Sequence, residues 1–207
     1  MYNTWVLNHL IFLPDMDRFL QTINDFDTIN AEDPHQETVL GEKVPKELLY
    51  SQRMTAMLED FEPNASEHLR LAARSQHIKR WSIPRDSFPM DRKGYLQWRT
   101  NLKKFHGELA GSVMAQNGYS QDDIDKVDDL LNKRALKTDL EAQTLEDVAC
   151  LVFLKYYFDD FLTQHDDEKL VSILQKTWKK MSEKGRQAAM HLDLSPTAAG
   201  LVQKALV

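Results

Sequence analysis

Apolar residues recur every three to four positions along most of this chain and strand-like alternation is scarce, so the pattern predicts an all-α protein. A first helix spans about 15–29, with Phe19, Leu20, Ile23 and Phe26 on one side, and the turn at 30–34 ends it. Residues 35–45 are mostly polar, contain Gly41 and read as a loop. A second helix covers about 46–61. Asn64, with Glu67 three residues on, makes a capping box for a third helix that reaches about Trp81, before Pro84 and Pro89. Asp91 can cap a long fourth helix through Gln116 whose stripe is Tyr95, Trp98, Leu102, Phe105, Leu109 and Val113, closed by Gly118. Ser120 starts a short acidic helix with Ile124, Val127 and Leu131 inward. A sixth, about 139–164, is apolar almost all round from Val148 to Leu154 and reads as the central buried helix, with Phe153, Tyr156, Tyr157, Phe158 and Phe161 as core material. A seventh, 167–181, lays Leu170, Leu174 and Trp178 against it, and Ser195-Pro196 opens the last.

A chain of 207 residues with 42% apolar content can build one sizeable core, and no low-complexity stretch marks a second, so one domain over 1–207 is expected. Cys150 is the only cysteine, which excludes an intrachain disulfide and fits a reducing, cytoplasmic setting. The apolar start, Trp5 to Leu13, has no basic leader or small-residue cleavage site, so secretion is not expected. The longest apolar run, Val148 to Leu154, is too short to cross a bilayer.

The net charge of −6 hides an asymmetry. Between Arg70 and Lys104 ten basic residues face two acidic ones, so this segment carries +8 and the remainder −14. Interleaved with Trp81, Phe88, Tyr95 and Trp98, such an island suits an anionic, partly aromatic ligand; a solvated, salt-bridged helix surface is the alternative.

Polar residues on apolar stripes narrow the site. Helical spacing puts Gln76 and His77 on the face of Leu69, Ala72 and Ala73, His106 between Leu102 and Leu109, and Asp147 in line with Leu151, Leu154 and Phe158. Buried imidazoles and carboxylates need partners. Two histidines and an aspartate from three helices can form a facial triad, His77, His106 and Asp147, for one divalent iron, manganese or zinc ion. A metal-free network in which Asp147 orients a histidine is the alternative.

The order of these elements resembles the His-Asp metal-dependent phosphohydrolases. Tyr50-Ser-Gln-Arg-Met54 is similar to their first histidine region, Leu71-Ala-Ala-Arg-Ser-Gln-His-Ile78 to their doublet helix, and Leu145-Glu-Asp-Val-Ala149 to their last aspartate. The resemblance implies a diverged helical bundle of that type. Tyr50 stands at the first histidine, Gln76 and His77 at the doublet, and only Asp147 is retained, so the ordinary metal site does not carry over intact. Over nearly its whole length the chain also resembles the domain of unknown function 4202 family, on Asn30-Ala-Glu-Asp-Pro34, Lys46-Glu-Leu-Leu-Tyr-Ser51, Ala73-Arg-Ser-Gln-His-Ile78, Met90-Asp-Arg92 and 145–154. That resemblance implies no activity.

Two functions are expected from this reading. The first is a hydrolase acting on a phosphorylated or nucleotide-like small molecule, with His77, Asp147 and Gln76 catalytic and Arg74, Lys79, Arg80, Arg85, Arg99 and Tyr50 holding the substrate. The second is a non-catalytic module that docks RNA or an acidic partner on the basic segment 70–104. Neither involves a membrane. The doublet His165-Asp166 reads as a helix cap.

Overall fold

The computed structural model describes residues 17–134, 136 and 138–206; the apolar start and the expected first helical position at Asp15 lie outside them. The chain is all-α: the regular structure of the described residues is ten α-helices, a π-helical turn, two 3-10 turns and a small hairpin. Helix α1 (Arg18–Asn30) starts where the Asp17 side chain accepts from Phe19 N. The expected loop at 35–45 contains a hairpin instead, with β1 (Gln36–Val39) antiparallel to β2 (Glu42–Pro45) and Val39 opposite Glu42. Leu40 and Gly41 at its tip have φ of 51° and 87°, the left-handed pair that a two-residue hairpin turn requires. Its strands are four residues long and largely exposed, so no apolar alternation announces them.

Helix α2 (Lys46–Phe61) has the expected bounds. Helix α3 (Glu67–Ser75) is capped by Ser66 rather than Asn64, and it stops at Ser75, well short of Trp81. The cause is tertiary: the Asn30 carboxamide, at the end of α1, accepts from the backbone of Lys79, which lies in the left-handed region at φ 51°. The chain then passes through 3-10 turns at Arg80–Ser82 and Arg85–Ser87. Helix α4 (Arg92–Gln116) begins where Asp91 accepts from Gly94 N, and α5 (Gln121–Asn132) carries a capping box between Ser120 and Asp123. Tyr95, expected inward, is 42% exposed.

The expected sixth helix is interrupted. Helix α6 (Leu140–Val152) gives way to a π-helical turn (Phe153–Tyr157) and then to α7 (Phe158–Leu162). Such insertions shift the facing of all that follows, and here Phe158 is fully buried while Phe153 and Tyr157 are only half-buried. Asp166 caps α8 (Asp167–Lys180), as the sequence suggests. A short α9 (Glu183–Met190), which no apolar period announces, precedes α10 (Pro196–Leu206).

Buried apolar residues of every one of these helices form one contiguous core. Helix α6 buries Ala142, Leu145, Val148, Leu151 and Val152 in it, which makes it the central helix. Among the described residues no helix is long and apolar enough to cross a membrane. Helices α4 and α5 lie close because Gly107 has no side chain: a Cβ there would sit 1.9 Å from Asp128 Oδ1, itself an acceptor from Asn132. Gly107→Ala should therefore cost about 1–3 kcal/mol, measured by chemical denaturation, since either the helices part or Asp128 abandons Asn132.

Candidate functional site

The early end of α3 builds the site. Left-handed Lys79 reverses the chain so that His77 and Arg80 flank one turn, with Arg80 N donating to His77 O. From α4, His106 Nδ1 donates to Ile78 O at 2.8 Å and pins this turn against the core. A carbonyl can only accept, so the other His106 nitrogen, Nε2, is left as a bare acceptor. It is buried and unpartnered, as is Gln76 Oε1. Burial pulls the His106 imidazole down to about 3, with His77 adding to the effect, so the ring is neutral at ordinary pH.

His77 is committed at both nitrogens. Arg80 Nη1 lies 3.2 Å from Nε2 and must be the donor, which leaves the proton on Nδ1, 3.4 Å from Glu47 Oε2. Burial and then the Arg80 charge hold its pKa well below the usual histidine range. Its ring stacks on Tyr50 at 4.0 Å and 13°. Arg80 also lies 4.9 Å over the Trp98 ring and 3.9 Å from Glu47. Glu47, in the first turn of α2, is nearly enclosed, and among the described residues its ion-pair partners lie only at these two longer distances. Burial pushes its carboxyl up to about 7 against the opposing pull of Arg80.

Two hollows adjoin these side chains and a third adjoins the first of them. A cavity of about 60 Å³ is lined by Gln76, His77, Arg80, Arg99, Leu102, Lys103, His106, Leu131 and Lys133. That is room for about four waters. On one side it shares His77 and Arg80 with a cleft of about 300 Å³ walled by Lys46, Glu47, Tyr50, Ala149, Phe153, Tyr157 and Phe161. The π-helical turn supplies Phe153 and Tyr157 to this wall. On the other side the cavity shares Arg99, Lys103 and Lys133 with a basin of about 290 Å³ that adds Lys180 and Glu146. Among the described residues neither Arg99 nor Lys103 has a carboxylate partner. Burial and the charge of Arg99 lower the Lys103 pKa. Lys133 touches Glu146, while burial and the like charges of Lys103 and Arg99 pull its ammonium down.

The structure thus gathers Gln76, His77, His106, Tyr50, Arg80 and Arg99, and scatters the other expected residues. Arg74 forks onto Asp27 at 2.7 and 2.5 Å and donates to Thr55, tying α3 to α1 and α2. Lys79 faces Glu32 at 3.8 Å on the surface, and Arg85 donates to the carbonyls of Phe88, Pro89 and Asp91. Asp147 lines none of the three hollows. Its carboxylate accepts from Ser182 N at 2.8 Å, Ser182 Oγ at 2.5 Å and Gln143 Nε2 at 3.1 Å, and so anchors the start of α9.

The expected triad of His77, His106 and Asp147 does not assemble, and no group of three metal-ligating side chains occurs among the described residues. The cavity does not fit a divalent cation: four cationic side chains line it and both His77 nitrogens are engaged. Three site residues went unread in the sequence. Glu47 shares a helical face with Tyr50, Ser51, Met54 and Leu58, so the period of α2 carries its signal. Lys133 and Lys180 sit at the ends of α5 and α8, and nothing local distinguishes them from surface lysines.

Fold and site together define an all-helical protein with a half-enclosed cationic cavity beside an aromatic cleft. The family model described as a domain of unknown function (DUF4202) matches residues 20–202, and the chain belongs to that family. No curated protein and no solved structure matches it.

Proposed function

We propose that the protein binds a phosphorylated small molecule, its phosphoryl group in the small cavity and its organic portion in the aromatic cleft, and hydrolyses the ester between them. One observation carries this reading: four cationic side chains and two unpartnered buried acceptors line a hollow of about 60 Å³. Forked guanidinium groups and ammonium groups suit phosphoryl oxygens, while a protonated phosphoryl oxygen or a neighbouring hydroxyl can donate to His106 Nε2 and Gln76 Oε1. A purely anionic ion would leave those two acceptors unsatisfied.

Because Arg80 and His77 line both hollows, the scissile bond of such a ligand lies beside them. Arg80 and Arg99 offset charge on the phosphoryl oxygens as water attacks phosphorus. Glu47, which keeps its proton up to about pH 7, stands on the organic side, where the departing oxygen needs a proton. His77, neutral and hydrogen-bonded, holds Arg80 and faces Glu47. A cytoplasmic setting belongs to the same proposal and is supported by the lone, buried Cys150.

Inorganic phosphate should raise the melting temperature of the wild-type protein, and Arg99→Gln with Lys103→Gln should weaken its binding about tenfold or more. Phosphate release from a panel of phosphate monoesters should fall about hundredfold in Glu47→Gln with KM little changed. No stabilisation by phosphate removes the binding claim; binding without release from any ester removes the hydrolysis. The RNA reading draws on less, since Arg74, Lys79 and Arg85 are already engaged within the fold. RNA binding in a gel shift at low salt, abolished by neutralising exposed residues of 70–104 outside the cavity, would revive it.

A further inference from the structure

The three hollows lie in a row and share walls. The aromatic cleft meets the small cavity at His77 and Arg80, the cavity meets the basin at Arg99, Lys103 and Lys133, and cleft and basin have no lining residue in common. The cavity therefore lies between cleft and basin. Cavity and basin are lined by five cationic side chains, Arg80, Arg99, Lys103, Lys133 and Lys180, and by the single carboxylate of Glu146, with Glu47 3.9 Å from Arg80 on the cleft side. The Glu146 carboxylate is 7% exposed and is already shared, touching Lys133 and lying 3.8 Å from Lys180. One phosphoryl group fills a cavity of about 60 Å³ and cannot also neutralise Lys180, which lines only the basin.

We infer that the ligand carries two phosphoryl groups in series, the first in the small cavity and the second in the basin under Lys103, Lys133 and Lys180. This rests on the phosphate reading of the cavity and adds the ligand class: a diphosphate, esterified to an organic group in the cleft as substrate or free as the product of its hydrolysis. The physical reason is charge balance. Like charges crowded into a half-buried basin repel one another, and an anion placed among them recovers that energy while gaining several charge-assisted hydrogen bonds. Consistent with such crowding, Lys103 and Lys133 give up their protons more readily than exposed lysines, burial being the first cause and neighbouring cations the second.

The test compares inorganic phosphate, inorganic diphosphate and a nucleoside diphosphate by isothermal titration at physiological salt, on the wild-type chain and on Lys180→Gln. Diphosphate should bind the wild type about tenfold or more tighter than phosphate. Lys180→Gln should remove most of that advantage and change phosphate affinity less than about twofold, because Lys180 does not line the cavity. A gain of the nucleoside diphosphate over the inorganic ion identifies an ester; the reverse order identifies the free anion. Equal binding of phosphate and diphosphate overturns the inference and leaves the cavity reading intact. A diphosphate advantage that survives in Lys180→Gln also overturns it, as a general polyanion effect. If no anion binds, the cavity reading itself fails.

Discussion

Asp147→Ala is expected to cost about 3–5 kcal/mol of folding stability and to lower the melting temperature by roughly 10 °C, while phosphate affinity of the folded protein changes less than about twofold. Asp147 is 2% exposed and accepts three hydrogen bonds, two of them from the residue that starts α9. Ser182 Oγ, in turn, accepts from Gly185 N, so the carboxylate orients the cap of the whole helix. The fit is tight: a Cβ at Gly185 would lie 2.6 Å from the Asp147 carboxyl. Alanine strands the Ser182 N–H and leaves its hydroxyl without an acceptor in a half-buried place, while the Gln143 amide keeps only the Lys180 carbonyl, and unsatisfied donors cost more than a made bond returns. Asp147→Asn keeps one acceptor and should lose roughly half as much. A fully stable Asp147→Ala protein that no longer bound ligand would restore the residue to the site and sink the structural role assigned to it.

That residue shows how far the sequence could be read. Helical period correctly placed Asp147 on the inner face of a central helix, but period reports only that a side chain points inward. Which neighbours meet it depends on α9, an eight-residue helix with Gly185 within it and too little apolar pattern to announce itself. The same division runs through the rest. Helix α4 was legible to the residue because its two local signals, Asp91 before it and Gly118 after it, agree with tertiary packing, and α2 likewise has the expected bounds. The end of α3 was not, because Asn30, far away in the chain, imposes the left-handed turn at Lys79. The basic island was visible as a composition, yet its members divide between the cavity and ordinary intramolecular partners, and two of the basin's lysines lie outside it. Charge is local in sequence; its convergence is not.

Between about pH 4.5 and 6.5 the titrations of Glu47 and His106 should oppose and nearly cancel one another, so that His77 sets the slope and stability rises with pH, before Glu47 alone lowers it slightly between about 6.5 and 7. The Glu47 carboxyl ionises near 4.5 in the unfolded chain and near 7 in the native one. As pH rises through that window the unfolded state sheds a proton that the native state keeps, so stability falls, by about 3 kcal/mol at pH 8. His106 works from the other end. The unfolded imidazole takes up a proton below about 6.5 and the native one only near 3, so stability falls as pH drops through that range. His77, also held below its ordinary value, adds to the acid-side loss. Glu47→Gln retains an acceptor for His77 and Arg80 and cannot ionise. Its melting temperature relative to wild type should therefore be unchanged near pH 4.5 and rise steadily to a gain of several degrees at pH 8. His106→Asn should be destabilised at pH 8 by the weakened bond to Ile78 O, and should recover relative to wild type as pH falls towards 4. Flat difference curves in both variants would mean that these groups titrate as they do in water and that the site is not sealed. If Glu47→Gln gains stability at pH 8 and loses turnover in the same buffer, the carboxyl is one the fold tolerates for the sake of the proton it delivers, because a purely structural glutamate would give up one without the other.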